Sequence, residues 1–519
     1  MSATVDPEVQ PVVLADRPEP GAPRSYDFPD ITERQLPNGL TIRIADMPGR
    51  PLVSAVMVIA AGVADEPPEL AGATVLAARA LTEGTEQYDA ISLIEAAERL
   101  GASLHAESGW DALSVGVDVP AARLAPALEL VAEMLLRPTF PEPEVERLRD
   151  ERLNDLLQVQ ADPRRRVEVA FVDTIYAAES PYHRPSGGTR ETVEGLTAAD
   201  LRRVYDRILD PRRATLVIGG DLGGVDVVAL VERLFGAWRS SAATGDIAPG
   251  GAPIDTGSTT GRVIRVVHRS GSVQTEIRIG HRGLPRQIDD FHAVSVMGAI
   301  LGGLFNSRLN MKLREEKGYT YGAGAGFDMR RGAGPFAARA AVNTEVTVPA
   351  ILDTLAELNR IRDVPVTDSE LAAARDFLIG VFPLRFETAG AVVGALGSLA
   401  VHGLPVEELV GYRSRIEAVD IDAISAAART HLHVDDAAIV LVGDADAFGP
   451  ALEVAELGQI IIERDAPQPG IGPQEDAALV GPIDDDEAEG PSAGAEDTDL
   501  AAADDGPDDP GETVSPIVG

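Results

Sequence analysis

One way for a helix to hold hydrolytic zinc is two imidazoles one turn apart, both facing the same side and gripping one ion. A glutamate between them takes a proton from the bound water. The chain has eight histidines, at His105, His183, His268, His281, His292, His402, His431 and His433. His-x-x-Glu-His occurs nowhere, in either direction. Only His431 and His433 are close, and a spacing of two points them apart on a helix. There is no cysteine, which removes disulfides and thiolate metal or redox sites. A P-loop is also missing. Gly219-Gly220 and the glycines from Gly322 to Gly326 read as strand-end turns rather than phosphate cradles.

The elements that would position any site follow from local signals. Asn38-Gly39 is a turn, and the alternation after it predicts a strand. Val53–Gly62 reads as a second, buried strand. Good helix formers fill Ala71–Leu81. Ile91–Leu100 is a helix closed by Gly101. Ser103–Val119 holds two short strands around a turn near Gly109. Leu124–Leu136 is a helix ended by Arg137-Pro138. A long helix follows from about Glu142 to Gln160, with an acidic, proline-primed start and a stop at Asp162-Pro163. Another covers Arg165–Ala177. Thr197 caps a further helix, and Ala214–Asp221 is a strand.

A length of 519 residues is too great for one ordinary domain. Aromatics are only 4% of the chain, so its core must rest on Ala, Val and Leu. The net charge of −38 argues against binding nucleic acid or an anionic membrane, both of which need a basic face. From Glu475 to Gly519 there are 15 acids and no Lys or Arg, a composition expected to stay disordered. Residues 1–30 are Pro-rich and lack a signal-peptide pattern, so a flexible arm is expected. No apolar run is long enough for a membrane span, and a cytoplasmic location is the default expectation.

A second pass through one plan is visible. Ile277–Gly283 answers Val56–Gly62 at an offset of 221, and the segment from Val366 to Asp376 answers Phe140–Asp150 at 226. The strand ending Gly443-Asp444 answers Gly220-Asp221 at 223, and Val419-Asp420 answers Leu196-Thr197. Two homologous α+β domains are expected, each a mostly antiparallel sheet covered by helices. Their bounds are 31–239 and 261–450. A Gly-, Ser- and Pro-rich linker at 240–260 joins them, and an acidic tail covers 465–519.

Several stretches carry a resemblance. They are Leu36-Pro37-Asn38-Gly39-Leu40, Ala61–Glu66, Gly84-Thr85, and Pro181-Tyr182-His183-Arg184-Pro185 ahead of Leu196-Thr197. The last is Gly302-Gly303-Leu304-Phe305-Asn306-Ser307-Arg308-Leu309 running into Leu313–Tyr321. Over about 31–450 the chain resembles the pitrilysin and mitochondrial-processing-peptidase family, the inverzincins. Such families build a clamshell from two two-domain halves that closes around a peptide, so this chain is expected to be one half.

The resemblance implies a zinc helix at Gly72–Thr85. There the first His falls on Val75, the general base on Ala78 and the second His on Arg79, while the third ligand falls on or near Asp155. None of the first three can bind a cation, so no metal is expected in this chain. Arg314 and Tyr321 match the pair that the family's opposing domain offers to substrate. Arg supplies a fixed fork of donors, and a Tyr hydroxyl can bond a developing oxyanion. Leu104, His105 and Ala106 match a substrate-facing edge strand, and Gly302-Gly303 flanks the pair.

The resemblance therefore points to a non-catalytic, substrate-binding subunit of a heterodimeric zinc metallopeptidase acting on peptides, with leader or precursor peptides among them. Zinc would come with a homologous partner subunit. The alternative is a catalytically inert structural or peptide-binding scaffold, homodimeric in one version.

Overall fold

The computed structural model describes residues 21, 25–49, 51–239 and 261–464. The expected linker at 240–260, the acidic tail and most of the N-terminal arm lie outside the described residues.

Two six-stranded sheets form the frame. The first runs β1 (Ile31–Gln35), β2 (Thr41–Asp46), β6 (Ala214–Gly220), β3 (Leu52–Ile59), β5 (Leu113–Pro120), β4 (Ser103–Ser108). The second runs β12 (Gln459–Arg464), β7 (Val263–His268), β11 (Ala438–Gly443), β8 (Gln274–Arg282), β10 (Pro335–Asn343), β9 (Ala323–Phe327). Five strands of each sheet correspond in order and direction. The sixth differs: β1 pairs antiparallel with β2, whereas β12 pairs parallel with β7. The second half therefore takes its outer strand from beyond residue 450, where the sequence reading ended it. The near-continuous burial along β3 and β8 marks them as central strands covered on both faces.

Helix boundaries follow the caps. The Ala90–Leu100 helix closes on Gly101 at φ 64°. The Glu142–Ala161 helix starts after Pro141 and stops at Asp162, whose carboxylate then caps the Pro163–Ile175 helix.

The halves are interleaved rather than merely tethered. The Pro163–Ile175 helix belongs to the first half in sequence but packs on β8 and β11 of the second sheet. The Ala389–Val401 helix, 226 residues later, packs on β3 and β6 of the first. Val167, Ala170 and Phe171 are buried against Val267, Val440 and Val442. Val392, Val393 and Leu396 share a core with Ala45 and Val217.

Polar contacts repeat the exchange. Arg43 on β2 donates from Nη1 to the Leu396 carbonyl (3.1 Å) and from Nε to Glu33 (2.9 Å). Arg265 on β7 donates from Nη1 to the Ala170 carbonyl (3.2 Å) and from Nε to Glu463 (2.7 Å). Residues 43 and 265 are 222 apart, and 170 and 396 are 226 apart, both near the repeat offset.

A second tie is the turn between β9 and β10. The buried side chain of Arg331 reaches Asp65 (2.5 Å) and Asp111 (3.4 Å) of the first half. Tyr182 Oη donates to Asp111 (3.1 Å) and accepts the Gly332 N–H (3.2 Å). The arm expected to be flexible through residue 30 is anchored at its end. Tyr26 and Phe28 pack on Phe386 with ring centroids 6.5 and 5.1 Å away.

Candidate functional site

The Ala73–Ala80 helix is held from its N-terminus by one buried carboxylate. Glu66 accepts the backbone N–H of Gly72 and of Thr74, both at 3.0 Å, and the Thr74 hydroxyl at 2.7 Å. Arg184 Nη2 stands 3.1 Å away. Burial pushes the Glu66 carboxyl up, and these donors work against that shift. The segments Ala61–Glu66 and Pro181–Pro185, singled out separately in the sequence, thus meet in one ion pair that aims this helix.

What the helix presents is not a metal site. Val75 is half-buried, Ala78 is buried and Arg79 is exposed. Arg79 Nη2 lies 2.7 Å from Glu151 on the Glu142–Ala161 helix. Arg147 bonds the other Glu151 oxygen (2.6 Å) and also Glu83 (2.8 Å) and Glu144 (2.9 Å). Desolvation pushes the Glu151 carboxyl up, but the bonds from Arg147 and Arg79 prevail and hold it below its usual range. A chain of guanidinium–carboxylate pairs therefore crosses the seam where a metal would join the two helices. Val75 and Ala78 have no donor atom and Arg79 carries a positive charge, so these residues do not fit zinc.

The carboxylate facing Arg79 is Glu151, one turn before Asp155. Asp155 is engaged by Arg152 and by Arg165, the latter at 2.8 Å.

Among the described residues one other group has the makings of a cation site, His268 with Asp444 and Asp446. There His268 Nδ1 accepts the Ala445 N–H (3.2 Å) and Asp446 is paired with Arg464 (2.5 Å), so these ligand atoms are already engaged. His431 pairs with Asp290 (2.8 Å), while the His433 ring meets His281 edge-on, so the two histidines do point apart.

The second half presents a different surface. Two π-helical stretches, Ala299–Gly303 and Met311–Glu316, flank the segment from Leu304 to Asn310. Such stretches are rare and recur at functional sites. Arg308 is buried and grips Glu370 with two bonds (2.6 and 3.1 Å), fixing this segment to the Asp368–Val381 helix. Arg314 lies on the second π-helical stretch, with its guanidinium 4.6 Å from the centroid of the Phe305 ring. Its Nε is 3.4 Å from Glu315. Tyr321 is 93% exposed, and among the described residues its hydroxyl has no hydrogen-bond partner. Phe305 (67%) and Met311 (46%) are exposed on the same segment. The surface thus combines a braced cation, an open phenol and apolar area.

The remaining expected residues divide. Leu104, His105 and Ala106 do lie on an edge strand, since β4 ends the first sheet and bonds only β5. Gly302 serves packing. A Cβ there would stand 2.1 Å from the Ala325 nitrogen, so only glycine lets this stretch lie against β9. Its neighbour Gly303 is exposed. Sequence reasoning missed Phe305, Glu151 and the Glu66–Arg184 pair. The spacing of Arg147, Glu151 and Asp155 by four residues was the one signal for the second of these.

Comparisons with known proteins agree with this geometry. A family profile described as insulinase (peptidase family M16) matches residues 42–186, and one described as peptidase M16 inactive domain matches 195–378. An uncharacterized zinc protease of Streptomyces coelicolor is 27% identical over 77% of this chain and 86% of its own. A non-peptidase homolog of Helicobacter pylori is 22% identical over 72% of this chain and 84% of its own. A crystal structure of a peptidase M16 inactive domain from Pseudomonas fluorescens superposes with a TM-score of 0.73. It is 23% identical and covers 80% of this chain and 98% of that one. Among the described residues no single helix is long and apolar enough to cross a membrane.

Proposed function

Given that the chain belongs to peptidase family M16 as a non-catalytic member, we propose that it is the substrate-binding subunit of a heterodimeric zinc metallopeptidase that processes peptides. The partner supplies zinc and general base. This chain supplies Arg314 and Tyr321 across the chamber. Arg314 holds a carbonyl or carboxylate of the peptide, and the Tyr321 hydroxyl bonds the developing oxyanion. The edge strand β4 is free to add a peptide by main-chain bonds.

One contrast carries the reading. The Ala73–Ala80 helix is fully supported by Glu66 yet bears Val75, Ala78 and Arg79, with Arg79 locked to Glu151. Meanwhile Arg314 and Tyr321 stand at an open surface that nothing in the chain covers among the described residues. A helix kept in place without its ligands fits a chain that keeps its shape for a partner.

The test is cleavage of a peptide library by this chain alone, by a family member bearing His-x-x-Glu-His alone, and by the mixture. The mixture is expected to be active and this chain alone inactive, even with zinc added. In the mixture Arg314→Ala or Tyr321→Phe should lower kcat by about 10²-fold. A partner fully active alone, or a mixture indifferent to both substitutions, refutes the proposal. The inert scaffold remains the second reading, favoured by the non-peptidase name of the Helicobacter pylori relative. It predicts that peptides bind without being cleaved in any mixture.

A further inference from the structure

The Arg314 guanidinium is braced on two sides. Its central carbon lies over the Phe305 ring, 4.6 Å from the centroid, and its Nε is 3.4 Å from a Glu315 carboxylate oxygen. Its two terminal nitrogens, Nη1 and Nη2, have no partner among the described residues, and the side chain keeps 38% of its exposure. A planar cation with a ring on one side and a carboxylate near Nε keeps its two terminal nitrogens as a two-pronged donor.

Phe305 is otherwise hard to account for. A phenylalanine 67% exposed contributes little to a core. Its neighbours show that the segment is not loosely placed. Leu304 on one side is buried, and two residues on, Ser307 and Arg308 are buried too, with Arg308 fixed to Glu370. The backbone around Phe305 is thus anchored on both sides while its ring projects outward beneath a cation. Ring and guanidinium attract through the ring quadrupole, and the attraction persists at exposed sites.

We propose that Phe305 is a positioning residue: its ring fixes the Arg314 guanidinium so that Nη1 and Nη2 meet a carbonyl or carboxylate of a bound peptide. This rests on the substrate-contacting reading of Arg314 given above. Glu315 acts in the same sense from the side, and Met311, three residues before Arg314, is also exposed. The ligand so recognised is an extended peptide with an acceptor oxygen next to an apolar side chain.

The test uses the full chain. The Arg314 Nε–Hε resonance is assigned from the signal lost in Arg314→Lys. In the unaltered chain it should show an upfield displacement from the Phe305 ring current and a restricted order parameter. Phe305→Leu should abolish the displacement and bring the order parameter below about 0.6. Phe305→Trp should keep both. Because Phe305 is mostly exposed, each variant is expected to fold. An Arg314 signal unchanged in Phe305→Leu overturns the proposal.

In the mixture with a zinc-bearing partner, Phe305→Leu should lower kcat about fivefold, with Phe305→Trp restoring it. Lost order without lost cleavage also overturns the proposal, provided that Arg314→Ala slows the reaction. If Arg314→Ala has no effect either, the failure belongs to the substrate-contacting reading, and the NMR arm alone decides whether Phe305 positions Arg314.

Discussion

Glu66 and Arg79 stand at opposite ends of the same short helix and illustrate two kinds of ion pair. Glu66 is fully buried and serves four donors, so removing its charge leaves Arg184 and two N–H groups without their acceptor. Glu66→Ala is expected to cost about 3–5 kcal/mol in urea unfolding. Arg79 and Glu151 keep 43% and 44% of their exposure, so Arg79→Ala should cost about 1 kcal/mol or less. If the two variants cost the same, the helix is not held from its N-terminus. The loss of zinc chemistry was legible in the sequence because Val75, Ala78 and Arg79 cannot coordinate whatever the fold does. The partner of Arg79 was not. Counting along a motif leads to Asp155, whereas the facing carboxylate depends on how one helix is rotated against another. Glu66 and Arg184 were each noticed, but 118 residues separate them and nothing local joins them.

The segment from Ala299 to Glu316 depends on Arg308 gripping Glu370 from the next layer. Glu370 also caps its own helix by accepting the Thr367 N–H (2.8 Å). Burial pushes its carboxyl up, but Arg308 and Thr367 prevail and bring its pKa down to about 2 from 4.5. A carboxylate whose pKa is lower folded than unfolded stabilises the fold above the unfolded pKa. That contribution fades as pH falls from about 4.5 toward 2. Thermal unfolding followed across this window should therefore fall less steeply for Glu370→Gln than for the unaltered chain. Parallel slopes would show that the pair contributes nothing. Most elements were readable because Pro141, Asp162, Thr197 and Gly101 mark ends by local chemistry. β12 escaped notice because Gln459–Arg464 lies after the repeat has closed. What makes it a strand is the open edge of β7, a tertiary fact.

Across the whole molecule, the sequence repeat foretold two similar sheets but not which helix covers which. Similarity at an offset of about 222 is satisfied equally by two self-contained halves and by two that trade helices. The contacts of Phe171 with the second sheet and of Leu396 with the first decide for trading. It follows that neither sheet is covered on both faces without the other half. Calorimetry should accordingly show one unfolding transition. Phe171→Ala, at a site 1% exposed, should lower it as a unit by about 3–5 kcal/mol. A split into two transitions would mean that each half folds on its own.

The traded helices also bear on how the gene product can be divided. Cut in the linker and made as two polypeptides, each half would expose a bare sheet face and the apolar side of a stray helix. Separately they should aggregate, and together they should reassemble, each completing the other as a split reporter does. Mutual complementation of this kind follows directly from the exchanged helices. It offers a selectable assay for the chain's integrity that needs neither substrate nor metal.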